Sequence, residues 1–150
     1  MTPRSSQRAA ALTPWIRSLC YGILWFEVVT NVVNGALTLW DPKSALRIMT
    51  DIKSLDAFDG VAGEPARWFA AVGMTFGGFL LTRVLLLPPR IRSNALWPVL
   101  EALVVGDVLY LSSLIPFTLH YSSQGIILPY ALTFIMFLAR VTLLRFEDWK

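Results

Sequence analysis

Charged residues are scarce in this chain of 150 amino acids. Only 15% of the residues are charged, whereas 55% are hydrophobic and the mean hydropathy is +0.58. A typical soluble domain is roughly 25% charged, so this chain has too few charges to cover a water-facing surface. The shortage excludes a disordered chain and argues against a soluble globular domain.

Cysteine and histidine are almost absent as well. The one cysteine, Cys20, lies within an apolar stretch, and the one histidine, His120, has no second histidine or cysteine near it in the sequence. Neither a disulfide framework nor a metal site is therefore predicted. The signatures of serine hydrolases, nucleotide-binding loops, zinc proteases and dinucleotide-binding folds are also missing. We expect neither a metal nor a cofactor.

Long apolar runs dominate what is present. A membrane-spanning helix needs about 20 mostly apolar residues, and the chain has room for four. The sequence thus predicts an all-α, integral membrane four-helix bundle that forms one domain over residues 15–150, after a flexible tail over residues 1–14. The predicted spans cover residues 15–40, 66–87, 95–115 and 125–145.

The distribution of basic residues predicts the orientation. The net charge is +3, but Lys and Arg lie at the ends of apolar runs rather than in a cluster interleaved with aromatics, so nucleic acid is not an expected partner. They concentrate in the tail, in the loop between spans two and three, and at the C-terminus. The positive-inside rule then places both termini in the cytosol.

The long loop between spans one and two has a pattern of its own. Asp41 followed by Pro42 is a typical helix start, and apolar residues then recur at three- to four-residue steps up to Leu55. This predicts an amphipathic helix over about residues 41–58 that lies on the membrane surface. A mobile lid over a substrate entrance is the alternative.

Two acidic residues are predicted to lie deep in the membrane. Counting about 1.5 Å per residue, Glu27 and Asp107 each lie about 18 Å from the cytosolic end of their span, and no cation shares that depth. An ionised group there costs at least about 2.5–3.5 kcal/mol. Burial disfavours the charged form, so at least one of the two is expected to be a neutral acid that can donate a proton.

A second group of charges is predicted nearer the cytosolic boundary. Arg83, Glu101 and Arg140 lie about 6–9 Å from it by the same count. They are expected to form a structural charge cluster that joins spans two, three and four. Anchoring of an anionic headgroup or substrate group is the alternative.

Polar residues also follow Glu27 along the first span. Asn31, Asn34 and Thr38 recur at steps of three or four residues and so share its helix face, and in the third span Tyr110 follows Asp107 in a similar direction. Such a stripe provides either hydrogen bonds between helices or the wall of a cavity. In the second case Asn31, Asn34 and Tyr110 would bind substrate or water.

Two buried carboxylates suit acid–base chemistry on a lipophilic molecule. One group gives a proton while the other takes one, and different surroundings allow two carboxylates to divide these roles. Epoxide opening, double-bond isomerisation and cyclisation all fit. We expect Asp107 to be the general acid and Glu27 the base that activates water, although the two roles are interchangeable at this stage.

The chain also resembles a known group of proteins. The similarity rests on the four-span plan, on the turn at residues 40–42 after a helix that carries Glu27 and Asn31, and on the segment Pro98–Leu103 leading to Gly106 and Asp107. In these features it is similar to small four-span membrane proteins of fungal secondary-metabolite pathways, which include membrane epoxide hydrolases. It also resembles membrane-bound terpene cyclases and sterol isomerase-like bundles in plan, but no histidine lies within its predicted spans.

This resemblance implies a cofactor-independent enzyme of the endoplasmic reticulum membrane. Its substrate would be a lipophilic polyketide or terpenoid, and epoxide opening by hydrolysis or cyclisation would be its reaction. A double-bond isomerase is one alternative, and a non-catalytic lipid-binding or scaffold protein is the other. Membrane lipids and a second copy of the chain are the further expected partners.

Overall fold

A computed structural model describes residues 12–44, 64–121 and 127–146. These residues are helical almost throughout and contain no strand. Four helices are long and apolar enough to cross a membrane. They are α1 (Pro14–Trp40), α2 (Glu64–Leu85), α3 (Pro89–Tyr121) and α4 (Ile127–Phe146).

The outer surface of these helices is apolar. The fully buried side chains are few, whereas Trp40 is 90% exposed and Trp68 is 73% exposed. Soluble proteins rarely expose so large an apolar surface to water, but such a surface is stable in contact with the hydrocarbon of a membrane. The predicted all-helical fold with four helices capable of spanning a membrane is confirmed, and it indicates an integral membrane protein. The fully buried core side chains are Leu24, Leu81, Leu96, Leu100 and Leu143.

Prolines and one acidic residue set the helix boundaries. α1 begins at Pro14 and ends before Asp41, whose Oδ1 accepts a hydrogen bond of 3.2 Å from the backbone N–H of Ser44. This contact caps a helical turn that begins at Pro42. The rest of the predicted surface helix, and the tail up to residue 11, lie outside the described residues.

α3 is longer at both ends than the predicted span of residues 95–115. It begins at Pro89 and continues past Pro116 to Tyr121. A proline inside a soluble helix usually breaks it, but prolines are tolerated in membrane helices because neighbouring groups satisfy the freed carbonyl. Pro116 therefore lies within α3 and does not end it.

α2 contains a π-helical segment, Met74–Leu80, between two α-helical parts. This segment packs against α1, and the two helices run antiparallel. A Cβ added to Gly35 would lie 2.0 Å from Cγ of Met74, and a Cβ added to Gly77 would lie 2.0 Å from Nδ2 of Asn31. The missing side chains thus allow these two helices to approach closely.

The remaining helices also pair antiparallel with their neighbours along the chain. Between α2 and α3, Arg92 donates to the carbonyl of Leu85 at one end, while Tyr110 stacks on Phe69 at the other. Between α3 and α4, the hydroxyl of Tyr130 donates to the carbonyl of Leu111 over 3.1 Å. α4 also packs against α1, which brings the polar residues of three helices together.

Candidate functional site

Arg140 of α4 forms ion pairs with two carboxylates from two other helices. Its Nη2 contacts Oε1 of Glu27 in α1, and its Nη1 contacts Oδ2 of Asp107 in α3. Only 2% of Glu27, 3% of Arg140 and 8% of Asp107 is exposed. We call these three residues the Arg140 triad. It brings together the two acids that the sequence singled out.

The formal charges of the triad do not balance. With both carboxylates ionised, one guanidinium faces two negative charges and the group carries a net charge of −1. A buried net charge is costly, and binding of one proton removes it. In the neutral state one carboxyl group holds a proton and the other is an ionised acceptor, so the triad contains an acid and a base together.

Asn31 supports Glu27 from the side of α2. Its Nδ2 donates a hydrogen bond of 3.4 Å to Oε1 of Glu27, which lies one helical turn earlier in α1. The same amide lies against the backbone at Gly77, where no side chain intervenes. The structure therefore places Asn31 beside the triad, in contact with Glu27.

Two polar atoms of the triad are buried without a hydrogen-bond partner among the described residues. They are Oε2 of Glu27 and Nε of Arg140. The other atoms of both groups are engaged, because Oε1 of Glu27 accepts from Arg140 and Asn31, and Nη1 of Arg140 also donates to the carbonyl of Leu103 over 3.4 Å. One acceptor and one donor are thus left over in the same ion pair.

Asn34 and Tyr110 lie elsewhere. Asn34 is half-buried, and its backbone carbonyl accepts from the hydroxyl of Thr38. The ring of Tyr110 stacks on Phe69 with centroids 6.5 Å apart and an interplanar angle of 17°. In the parts of the chain that the structure describes, no hydrogen bond joins either side chain to the triad. Their predicted role in binding substrate or water stays a prediction.

The structure does not bring Arg83, Glu101 and Arg140 together. Arg83 and Glu101 are exposed on the outer surface of the bundle, while Arg140 is buried against Glu27 and Asp107. The depth count also placed no cation at the level of the two carboxylates. In the structure, Arg140 is the cation that pairs with both of them. A count along the helix axis locates Cα atoms, whereas a long arginine side chain carries its charge some distance away from its own Cα.

A signal for this contact was present in the sequence. Side chains in a helix lean toward its N-terminus. The depth count places the Cα of Arg140 nearer the cytosolic boundary than the Cα of Asp107. Because α3 and α4 are antiparallel, the side chains of these two residues lean toward each other. Correcting the depth count for this lean would have placed Arg140 closer to the acids.

Two apolar cavities flank the triad. Cavity A has a volume of about 290 Å³ and lies between α1 and α4. Its wall includes Ile23, one turn before Glu27, and Met136, one turn before Arg140. The remaining lining residues of cavity A are Ser18, Leu19, Gly22, Phe26, Leu132 and Ile135.

Cavity B has a volume of about 510 Å³ and lies between α3 and α4. Val108, the neighbour of Asp107, and the aromatic rings of Tyr130, Phe134 and Phe137 form part of its wall. Neither cavity A nor cavity B is lined by a residue of the triad. Both are therefore apolar clefts that are open to the outside of the bundle and lie near a buried charged group.

No set of metal ligands accompanies this arrangement. Within the described ranges, no three His, Cys, Asp or Glu side chains come close enough together to hold a metal ion. Comparisons of the chain with protein families, with curated proteins and with solved structures find no match.

Proposed function

We propose that the chain is a membrane enzyme that performs acid–base chemistry on a lipophilic polyketide or terpenoid, with epoxide opening as its reaction. One observation carries the proposal: two buried carboxylates from different helices share one arginine. A purely structural ion pair needs a single carboxylate for one guanidinium. The second carboxylate provides a place for a proton, and general acid–base catalysis requires such a place.

The free oxygen of Glu27 supports its role as the base. Oε1 of Glu27 contacts Arg140, while its buried Oε2 has no hydrogen-bond partner among the described residues and keeps its lone pairs available. Asp107, in its protonated form, is then the acid. Arg140 contacts both groups and stabilises whichever of them is ionised at each stage.

The proton balance of the reaction closes within the triad. Asp107 gives its proton to the epoxide oxygen as one carbon–oxygen bond breaks. A water oxygen forms the new bond to that carbon, and Glu27 takes a proton from the water. Transfer of that proton from Glu27 to Asp107 restores the starting state, so one water molecule has been added. In a cyclisation, a hydroxyl group of the substrate replaces the water.

The apolar cavities support a lipophilic substrate. The lining of cavity A includes residues one helical turn before Glu27 in α1 and one turn before Arg140 in α4, and it consists almost entirely of hydrocarbon. At about 30 Å³ for a water-sized group, its 290 Å³ accommodates roughly ten such groups, which corresponds to a segment of a larger molecule. We further propose that the enzyme resides in the endoplasmic reticulum membrane with both termini in the cytosol.

The test is metabolite profiling of a strain that lacks the gene, complemented with variants. The deletion strain should accumulate an epoxide, lighter by one water than the final product for a hydrolysis and equal in mass for a cyclisation or isomerisation. Complementation with Glu27→Gln or Asp107→Asn should restore no more than about a hundredth of the wild-type turnover, since general acid–base catalysis contributes at least about 100-fold.

Glu101→Gln is the matched control for this experiment. Glu101 is a carboxylate of α3, like Asp107, but it is exposed on the outside of the bundle, so its variant should restore the final product fully. If Glu27→Gln and Asp107→Asn accumulate to the wild-type protein level and also restore full turnover, the proposed function is wrong.

A non-catalytic lipid-binding or scaffold protein is the second candidate. The observation in its favour is that Arg140 ties α1, α3 and α4 together while the triad lines neither cavity A nor cavity B. In that case the deletion strain accumulates no single precursor. The effect of each triad variant on product then follows the amount of folded protein that remains.

A further inference from the structure

The two unpartnered atoms of the Arg140 triad belong to the same ion pair. Oε2 of Glu27 is bonded to the same carbon as Oε1, and Nε of Arg140 is bonded to the same carbon as Nη2; Oε1 and Nη2 are in contact. The leftover acceptor and the leftover donor therefore lie on adjoining groups. Both residues are more than nine-tenths buried, at 2% and 3% exposed.

Leaving these atoms without a partner is costly. A buried polar atom that makes no hydrogen bond costs about 1–3 kcal/mol, and more when the group is charged. Buried polar groups in native proteins are accordingly paired with protein atoms or with ordered water. A single partner within reach of both atoms would satisfy them together.

The chemistry of that partner follows from the two atoms. It must donate a hydrogen bond to the oxygen of Glu27 and accept one from the N–H of Arg140. A ketone or an ether has no hydrogen to donate, an ammonium group has no lone pair to accept, and a metal cation would face the N–H. A hydroxyl oxygen satisfies both requirements.

We infer that Oε2 of Glu27 and Nε of Arg140 form a binding site for one hydroxyl oxygen, from water or from an alcohol group of the substrate. The inference rests on the proposed function, where this hydroxyl is the nucleophile whose proton passes to Glu27. The triad would then hold the nucleophile as well as the acid and the base. Cavity A, one turn away on both helices, holds the apolar part of the substrate.

Solution NMR of the full chain in detergent micelles tests the site without a substrate. The Nε–H signal of Arg140 is assigned by its loss in Arg140→Lys. In the wild-type protein, a rotating-frame experiment should give a dipolar cross-peak between this proton and water, opposite in sign to a cross-peak from chemical exchange. A cross-peak to water that is absent, or that arises only from exchange, overturns the inference.

Two variants locate the site within the triad. Glu27→Leu removes the acceptor but keeps the Arg140–Asp107 pair, so the dipolar cross-peak should be lost. Asp107→Asn removes the other carboxylate and leaves both atoms of the site in place, so the cross-peak should remain. A dipolar cross-peak that keeps its full intensity in Glu27→Leu overturns the inference. If a variant fails to fold, the cross-peak between water and the Nε–H of Arg140 in the wild-type protein alone decides whether the site exists.

A titration with 1-decanol, and with decane as the control, distinguishes the two sources of the hydroxyl. If decanol removes the water cross-peak in a saturable way and decane does not, the site binds alcohols as well as water. If the water cross-peak remains in the presence of decanol, the site binds water alone. Loss with both compounds overturns the inference, since hydrocarbon would then occupy the site. The two experiments can fail separately. If turnover requires Glu27 and Asp107 but the NMR experiment finds no bound hydroxyl, only this inference is wrong. If a hydroxyl is bound but Glu27→Gln and Asp107→Asn keep full turnover, only the proposed function is wrong.

Discussion

Two sides of α1 meet their neighbours by different physical means. Toward α2 the contact depends on missing side chains, because Gly35 and Gly77 let Met74 and Asn31 lie against the opposite backbone. Toward α4 it depends on charge, since Glu27 is buried against Arg140. Close packing needs only small residues on each helix, whereas a buried charge needs a particular partner in a particular place.

The two interfaces meet at Asn31. Its amide rests on Gly77 and donates to Glu27, so the small-residue contact also positions one side of the charged group. The comparison indicates that α2 contributes to the site through its shape alone, while α4 contributes the cation. Changes at Arg140 and at the glycines measure the two contributions separately, and a change at Tyr130 measures a single uncharged hydrogen bond between helices for comparison.

The largest effect is expected for Arg140→Leu. Removing the cation leaves two buried carboxylates unpaired, and breaking a buried ion pair in this way costs about 3–5 kcal/mol. Equilibrium unfolding of the detergent-solubilised protein in rising SDS measures the loss. The exposed Arg83 is the control, because Arg83→Leu should change stability by no more than about 0.5 kcal/mol.

A triple variant separates charge from packing at the same site. Leucine at residues 27, 107 and 140 together leaves no buried charge, and replacing a whole buried ionic group by apolar residues is often neutral or stabilising. The triple variant should therefore be more stable than Arg140→Leu. Equal instability of the two would show that the side-chain volume of Arg140, and not its charge, holds the helices together.

An intermediate effect is expected for Gly77→Ala. The added Cβ would lie 2.0 Å from Nδ2 of Asn31, and overpacking of this kind costs about 1–3 kcal/mol. Gly73 is the matched control on the same helix, because no atom lies within 4 Å of a Cβ added there. Gly73→Ala should gain up to about 1 kcal/mol from helix propensity. Equal changes for the two variants in the unfolding experiment would contradict the close contact at Gly77.

The smallest effect is expected for Tyr130→Phe. It removes only the hydrogen bond of 3.1 Å to the carbonyl of Leu111, and such a bond between membrane helices contributes about 0.6 kcal/mol on average. Tyr130→Leu also removes the ring from the wall of cavity B and should cost more in the same unfolding experiment. If both variants lose the same amount, the hydroxyl rather than the ring joins α3 to α4.

The difference between the interfaces also explains how much the sequence could predict. Apolar length alone predicts the four helices. The spacing of Ala70, Gly73 and Gly77, extended by Gly78 and Thr82, predicts a close contact along α2; Ala70, Gly77 and Gly78 are buried, but no atom lies within 4 Å of a Cβ added to Gly73. Glu27 and Asp107 stand out because acids are rare in apolar runs. These features are properties of single helices.

The partner of the two acids is a property of three helices together. Which residue faces Glu27 depends on the crossing of α1 and α4 and on the reach of a long side chain, and neither follows from spacing within one run. The same holds for Tyr110, whose ring contacts Phe69 although the helical spacing associates it with Asp107. Sequence reasoning therefore found the acids but not the guanidinium between them.

The π-helical segment Met74–Leu80 has a consequence for the length of the chain. A π turn closes its hydrogen bonds five residues apart rather than four, so it contains one residue more than an α turn. Deleting one residue within 74–80 would convert the segment to α-helix and leave the residues on either side of it facing their present neighbours. The same deletion in the middle of α1 would rotate all later residues by about 100° and turn Asn31 away from α2. Shortening by one residue is thus compatible with this bundle at the segment that contains Gly77, because α2 has one more residue there than an α-helix of the same length needs.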